Sequence, residues 1–586
     1  MRQWMVAAKK ADFYAIAEKF HVDPVVARII RNREVIGEKN IRIYLGGNLS
    51  DLSDPHQMKD MDRLVEILAQ KIRKQVHIRI IGDYDVDGVT SSHLFLTALR
   101  RVGAKVDVII PHRIQDGYGL SLHLLQQAKE DGVDTILTCD NGIAAIDEIA
   151  WAKAQKMTVL VTDHHAVPFE EHEGRRTEKK SLADAVVNPH QQDCGYPYKE
   201  LCGAGVAWNV IRVLYENYDM DKREAEDLLD FVAMATVCDV MSLTGENRIL
   251  VKEGLKRIHH TKNIGLQALM QACNVQPENI SAYHFGYVLG PCVNATGRLD
   301  TARHALRLFE TGQETEAEEI ARDLVDLNQE RKELTLQGVE MAKKLCEEGG
   351  YEKDPVLVLF LPDVHESIAG LIAGRIREMY NRPVFVLTRG EEGVKGSGRS
   401  TENYSMYENM CGCAELFTKF GGHPMAAGLS LPEENVEKFR RKINENCPLT
   451  VEEVCPDIHI DMAMPVGYAS TELVHQFALL EPFGKDNPSP LFADRNLSIS
   501  RMWVIGKNRN VLRMSVLSEY GQPVPVIFFG DVETLFAYFT EKFGQKEVEN
   551  ALHGRKNRIL FSMVYTAKID FYQGNENLQL EMKYYR

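Results

Sequence analysis

Between residues 77 and 189, short apolar runs alternate with helical patterns. HIRIIG (77–82) precedes GVTSSHLFLTALRRVG (88–103), KVDVIIP (105–111) precedes LSLHLLQQAKEDG (120–132), and DTILTCD (134–140) precedes AIDEIAWAKAQ (145–155). MTVLVTD (157–163) and ADAVVNP (183–189) complete the series. Strands alternating with helices of this length predict βαβ units and a parallel sheet. Residues 201–300 read as mainly helical. Residues 312–348 form one charged helical pattern in which Ile320, Leu324, Leu327, Leu334, Leu336, Val339 and Met341 keep a narrow apolar stripe. A long, mostly polar helix of this kind bridges domains.

A second α/β pattern follows. PVLVLFLP (355–362) and PVFVLTRG (383–390) read as strands around the helix SIAGLIAGRIREMY (367–380), and the Gly-rich GVKGSGRS (393–400) comes next. From about 455 the pattern changes to period-two strands with turn signals between them: LSISRMWVIG, NVLRMSVLS, PVPVIFFG and ILFSMVYTAKIDFYQ. Such spacing predicts a small barrel or sandwich. The first 60 residues look helical and mixed in charge, with Val25, Val26, Ile29 and Ile30 at helical spacing.

Composition narrows the class. A chain of 586 residues should form several domains. No apolar run approaches the roughly 20 residues of a bilayer span, and Lys and Asp interrupt the N-terminus where a signal peptide would be apolar. A cytoplasmic protein is expected. The 11 cysteines include no CxxC pair and read as reduced thiols. A net charge of −15 argues mildly against a nucleic-acid partner, but binding depends on local charge, and acidic metal ligands enter the sum.

Four acidic and histidine clusters carry the chemistry. They are Asp83, Asp85 and Asp87 in IIGDYDVDG, Asp140 in ILTCDNG, Asp163-His164-His165 in VLVTDHH, and Asp239 in MATVCDV. Residues just past strand ends in an open parallel sheet converge on one crevice. In an extended segment Asp83, Asp85 and Asp87 share a face, and carboxylates forced together repel unless a cation neutralises them. Calcium loops share the DxDxDG spacing, but the preceding strand and the missing Glu at the last loop position weigh against calcium. Imidazole beside carboxylate suits manganese, zinc or iron better than magnesium. Asp239 follows an apolar stretch where burying a carboxylate is costly without a partner, which a metal would supply. Two divalent ions and attack on a phosphate ester are the first reading.

The order DYDVDG, CDNG, DHH, CD resembles that of the DHH phosphoesterase family. NATGR (294–298), VHESIAGLIAGRI (364–376), GSGRS (396–400) and FGGHPMAAG (420–428) look like motifs of its DHHA1-type second domain. LLEPFGKDNPSPLF (479–492) and YQGNENLQL (572–580) are similar to the OB-fold region of the RecJ-type branch, whose members are 5′→3′ exonucleases specific for single strands. The resemblance covers nearly the whole chain from about residue 75.

The resemblance implies an α/β protein with a parallel-sheet DHH domain, a long connecting helix, a smaller α/β DHHA1 domain and a C-terminal OB-like β-barrel. The expected bounds are 1–60 for an N-terminal helical region, 61–310, 311–349, 350–450 and 455–586. It implies metal ligation by Asp83, Asp85, Asp87, Asp140, His164, His165 and Asp239, with two divalent ions, Mn²⁺ favoured and Mg²⁺ possible. Arg113, Arg298, Ser397 and Arg399 match phosphate contacts, and His365 and His423 match histidines that face the scissile region. Arg makes forked, charge-assisted bonds to phosphate, and Gly-rich backbone approaches an anion closely.

Four positions depart from the family pattern: Val364 for Trp, Ser367 for Gly, Cys292 for Arg and Asp486 for Gly. None removes a metal ligand. The expected activity is release of 5′-mononucleotides from single-stranded DNA in repair and recombination. A monomer is expected, with single-strand-binding protein and a helicase as candidate partners. Trp503, Lys507, Arg509, Arg513, Phe528 and Phe529 are candidates for strand contact in the barrel, most of the aromatics reading as core. Two rivals stand beside this reading. One is a phosphodiesterase for oligoribonucleotides or cyclic dinucleotides, which the C-terminal barrel disfavours. The other is a non-catalytic scaffold, which the full set of seven ligand positions disfavours.

Overall fold

A computed structural model describes residues 3–586 except 114, 115, 118, 173, 174, 391, 392, 455, 456, 507–509 and 573. The chain divides into two compact units, Asn48–Pro456 and Arg2–Gly47 with Asp457–Arg586.

In the first unit, His77–Ile81, Lys105–Ile109, Thr135–Cys139, Thr158–Thr162 and Ala185–Val187 form a parallel sheet. Its spatial order places Lys105–Ile109 first, then His77–Ile81, then the other three in sequence. The winding therefore reverses between His77–Ile81 and Thr135–Cys139. Ligands of open α/β sheets bind outside the carboxyl ends of the strands at such a point. Alternate residues feed opposite faces. Ile136 packs with Leu124, Leu125, Ile149 and Ala152 of the helices Leu122–Glu130 and Ile146–Ala154. Leu137 faces the larger core, with Phe95 of Val86–Arg101 and Trp208 of Gly203–Asn217.

The helix Glu314–Glu348 runs for 35 residues and belongs to two cores. Its first half buries Ala317, Ile320 and Leu324 with the parallel-sheet domain. Its second half buries Val339, Ala342 and Cys346 against Leu357 and Leu359 of a second sheet. That sheet runs in the order Lys419–His423, Ala426–Leu431, Gly393–Arg399, Val384–Gly390 and Leu357–Phe360. Its last two strands are parallel and the others antiparallel.

The second unit is a closed barrel. Phe492–Ile505 pairs with Val511–Leu517 on one side and Leu560–Tyr572 on the other, and Pro523–Phe528 and Asn575–Tyr585 complete the ring. The N-terminal helices Phe13–Phe20, Pro24–Asn32 and Glu38–Gly46 share its core, with Val26, Ile30 and Tyr44 buried beside Leu480 and Phe492. Trp4–Val6 pairs in parallel with Ile458–Ile460. Arg33 and Asp461 form a buried ion pair at 2.7 Å. The N-terminal segment, which reads as a separate helical region, thus belongs with the barrel as far as Gly47.

Asp486, where the family pattern has glycine, holds a left-handed backbone with φ 60°. The ten described cysteines are all free thiols. Among the described residues, no helix is long and apolar enough to cross a membrane.

Candidate metal centre and phosphate cleft

The acidic motif after His77–Ile81 departs from the extended form the sequence suggests. Asp83 lies in the loop. Asp85 is the N-cap of Val86–Arg101 and accepts from Gly88 N at 3.0 Å, and Asp87 sits in the first helical turn. The helix begins early because the Asp85 carboxylate satisfies one of its orphan N–H groups. The three carboxylates still converge, through a turn rather than along a strand. Asp140 follows Thr135–Cys139 in a left-handed conformation, φ 62°. His164 and His165 follow Thr158–Thr162, and Asp239 caps the end of Leu229–Cys238.

All seven residues fall into three overlapping groups of metal-ligand atoms, each within 4.8 Å. Asp83, Asp85 and Asp140 make one, Asp140, His164 and His165 a second, and Asp87, His164 and Asp239 a third. Asp140 and His164 each belong to two groups. His164 Nε2 is 3.1 Å from Asp140 Oδ1, 3.6 Å from Asp239 Oδ2 and 3.7 Å from Asp87 Oδ2.

The electrostatics favour a cation. Burial, then the neighbouring Asp85 charge, pushes the Asp83 carboxyl well up. Burial, then Asp87, Asp85 and Asp239, does the same to Asp140. Oδ1 of Asp83 and Nε2 of His164 are buried with no hydrogen-bond partner among the described residues. Buried polar atoms left this way are expensive, and a divalent ion bound by mixed O and N donors removes the cost. The residues present fit such ions.

The supporting shell is built from backbone. Gly203 N and Ala204 N, at the start of Gly203–Asn217, donate to the two oxygens of Asp87 at 2.6 and 2.8 Å. A Cβ on Gly203 would lie 2.6 Å from Asp140 Cβ, so only glycine lets that helix end approach. Asp163 Oδ1 accepts from His164 N, His165 N and His165 Nδ1, and its Oδ2 accepts from Ile143 N. Burial opposes protonation of His165, but the Asp163 bond and charge prevail and push the imidazole up to about 9.

A cavity of about 500 Å³ in the same unit is lined by Arg113, Arg298, Ser397 and Arg399, with Tyr84 and Lys395. The Arg113 guanidinium lies 4.8 Å from the Tyr84 ring centroid. Arg298 Nη1 donates to Ser367 O at 2.8 Å, and Arg399 Nη1 to Gly398 O at 2.7 Å and Ser397 Oγ at 3.2 Å. Burial, then Arg113, Arg331 and Arg399, pushes Arg298 down to about 10. Among the described residues none of Arg113, Arg298 and Arg399 makes an ion pair. Packed cations without a carboxylate are an anion site in waiting. A Cβ on Gly370 would meet Ser397 Oγ and Arg399 Nη2, each at 2.8 Å, so its absence keeps the cavity open.

His365 and His423 are exposed. His365 Nδ1 lies 2.6 Å from Ser367 Oγ, so the serine that stands where the family has glycine orients that ring. Among the barrel candidates Phe528 is core, while Trp503 and Phe529 are exposed. Arg513 faces Trp503 across the strands. Lys507 and Arg509 lie outside the described residues. Sequence reasoning did not assign roles to Asp163, Tyr84 or Lys395. Asp163 and Lys395 stand inside motifs already singled out, and Tyr84 lies between two of the acidic residues.

A reversal-point cluster of carboxylates and histidines on a parallel sheet, joined by a helix to a domain with a cationic cleft, defines a DHH-class phosphoesterase architecture. Residues 77–236 match the DHH family N-terminal domain, 353–447 the DHHA1 domain and 460–584 the RecJ OB domain. The single-stranded-DNA-specific exonuclease RecJ of Haemophilus influenzae is 32% identical over 96% of this chain and 96% of its own length. RecJ of Bacillus subtilis is 32% identical over 87% of this chain, and that match spans 63% of the Bacillus protein. The crystal structure of Thermus thermophilus RecJ in complex with Mn²⁺ matches with TM-score 0.82 at 25% identity, covering 100% of this chain and 79% of that one. The chain belongs to the RecJ family.

Proposed function

We propose that this chain is a single-stranded-DNA-specific 5′→3′ exonuclease that releases 5′-mononucleotides, acting in DNA repair and recombination. The observation that carries the reading is one unit holding both required parts: seven ligands in overlapping groups that share Asp140 and His164, and a cavity lined by Arg113, Arg298, Ser397 and Arg399. The names of the relatives agree with it.

Two divalent ions, manganese favoured, would be held by Asp83, Asp85, Asp87, Asp140, His164, His165 and Asp239. Bound there, they acidify water and offset phosphate charge. Asp163 fixes the orientation of the His165 ring through Nδ1. The helix end at Gly203 and Ala204 holds Asp87. The arginines grip the 5′-terminal phosphate and set the scissile bond at a fixed distance from the acidic cluster. His365 and His423 face the phosphate under attack and stabilise its developing charge. The barrel holds the single strand through exposed aromatic and basic residues such as Trp503 and Arg513.

The test is a substrate panel with Mn²⁺: long single-stranded DNA, the matching duplex, and short oligoribonucleotides. The reading predicts cleavage of the single strand, little of the duplex, and loss of activity in Asp140→Ala. Cleavage confined to di- to tetranucleotides would point instead to a small-substrate phosphodiesterase.

A further inference from the structure

Cys273 and Cys292 bring their sulfurs to 3.8 Å. Among the described residues this is the one place where two cysteine sulfurs touch. Cys273 is half-buried and ends the helix Ile264–Ala272 as its C-cap, just before Asn274 turns the chain with φ 55°. Cys292 is buried in the first turn of Gly290–Leu299, where its Sγ is 3.3 Å from Asn328 Nδ2 and 3.3 Å from Val288 O. Either thiol can donate to the other across this contact. The hydrogen bond from Cys273, and after it the Asn328 amide and Lys332, hold the Cys292 thiol below its usual range against the effect of burial. Lys332 and Arg331 nearby disfavour a metal cation between the two sulfurs and favour a thiolate.

We propose that Cys273 and Cys292 are an oxidation site that a peroxide converts to an intrachain disulfide. The Cys292 thiolate attacks one peroxide oxygen, the O–O bond breaks, and a sulfenic acid and hydroxide result. The Cys273 thiol then attacks the sulfenyl sulfur, the S–S bond forms, and water leaves with the thiol proton. The pair loses two electrons, and the peroxide ends as one water and one hydroxide, which takes a proton from solvent. A dithiol reductant reverses the change. Closing from 3.8 Å to a bond of about 2.05 Å is short, and the Cys273 side lies at a helix end.

The bond would draw Cys292 away from Asn328 of the connecting helix and tie Gly290–Leu299 to Ile264–Ala272. Arg298, which lines the cationic cavity, is on that same helix. Oxidation therefore weakens the grip on phosphate. This consequence rests on the proposed nuclease function. The disulfide itself does not.

The test uses the full chain, pulsed with hydrogen peroxide, blocked with N-ethylmaleimide and digested without reduction. Residues 263–298 contain no Lys or Arg before Arg298, so trypsin leaves both cysteines on one peptide. The expected product lacks both maleimide groups and is two hydrogens lighter than the free dithiol peptide. Cleavage after Glu278 leaves its halves joined, and dithiothreitol restores labelling. In Cys273→Ala no such species forms. The proposal is overturned if Cys273 and Cys292 remain separately alkylated at a dose that oxidises the exposed Cys411, or if they end as unlinked sulfinic acids. For the consequence, kcat/KM on single-stranded DNA should fall several-fold on oxidation, recover on reduction, and stay constant in Cys273→Ala. A disulfide that forms with unchanged kcat/KM overturns the link to Arg298 alone.

Discussion

Asp163 accepts a 2.8 Å hydrogen bond from Nδ1 of His165, two residues further along the chain, while its other oxygen is held by Ile143 N. The bond fixes the orientation of the His165 ring beside Asp140. Outer-shell carboxylates of this kind set tautomer and basicity, and their loss typically costs roughly 10- to 100-fold in metal affinity. Asp163→Asn should lower Mn²⁺ affinity by that order, seen in a calorimetric titration, with the circular dichroism spectrum unchanged. Unchanged affinity would mean that His165 is oriented by other contacts.

The cationic cavity predicts end-group dependence. A charge-assisted hydrogen bond contributes about 1.5–3 kcal/mol, roughly a 10- to 100-fold change in binding. Arg399→Ala should raise KM by this order for a strand with a 5′-phosphate, and far less for a 5′-hydroxyl strand. Steady-state kinetics on the two substrates measure it. Equal effects on both would place Arg399 away from the terminal phosphate.

Much of this arrangement is legible in the sequence, for an identifiable reason. Thr135–Cys139 is buried at every position, so it carries no charged residue and reads as a mostly apolar run, and its end marks Asp140. The long helix reads from its narrow stripe because each half packs on a different core. What escapes is set by contacts between distant residues. Nothing near Arg33 in the chain says that its partner is Asp461, or that Tyr44 Oη donates to Asn487 Oδ1 at 2.8 Å. A cap within DxDxDG is open to sequence reading, but not that it is Asp85, since the helical pattern reads from Gly88 and the helix starts at Val86. Asp163 stands in a motif already singled out, but its role as an acceptor rather than a ligand depends on the bend that folds His165 back onto it.

The Arg33–Asp461 pair predicts a stability effect inside the second unit. Both side chains are under one-tenth exposed, and Asp461 also accepts from Leu491 N at 3.0 Å. Removing one partner of a buried pair leaves the other charge uncompensated and costs roughly 3–5 kcal/mol. Arg33→Met should therefore lower hydrogen-exchange protection of the barrel strands by about that amount. Protection unchanged within about 1 kcal/mol would show that solvent screens the pair.

Asp230 predicts a pH signature away from the metal centre. Its carboxylate accepts from Phe231 N at 2.8 Å and Thr261 Oγ1 at 2.6 Å, yet burial pushes it up from 3.8 to about 6. The folded state then binds the proton more tightly than the unfolded chain. Stability attributable to this group falls as pH rises from about 4 to about 6, by up to about 3 kcal/mol, and is level above that. Asp230→Asn removes the dependence, so its stability relative to the parent should grow between pH 4.5 and pH 7 in urea titrations. A constant difference across that range would contradict the shift.

The most direct measurement uses one single-stranded DNA oligonucleotide with Mn²⁺, labelled at the 5′ end in one reaction and the 3′ end in a parallel one. The account predicts immediate release of 5′-labelled mononucleotide while the 3′-labelled strand shortens gradually, with both events lost in Asp140→Ala. Survival of the 5′ label while the 3′ label is released first, or undiminished cleavage in Asp140→Ala, would contradict it.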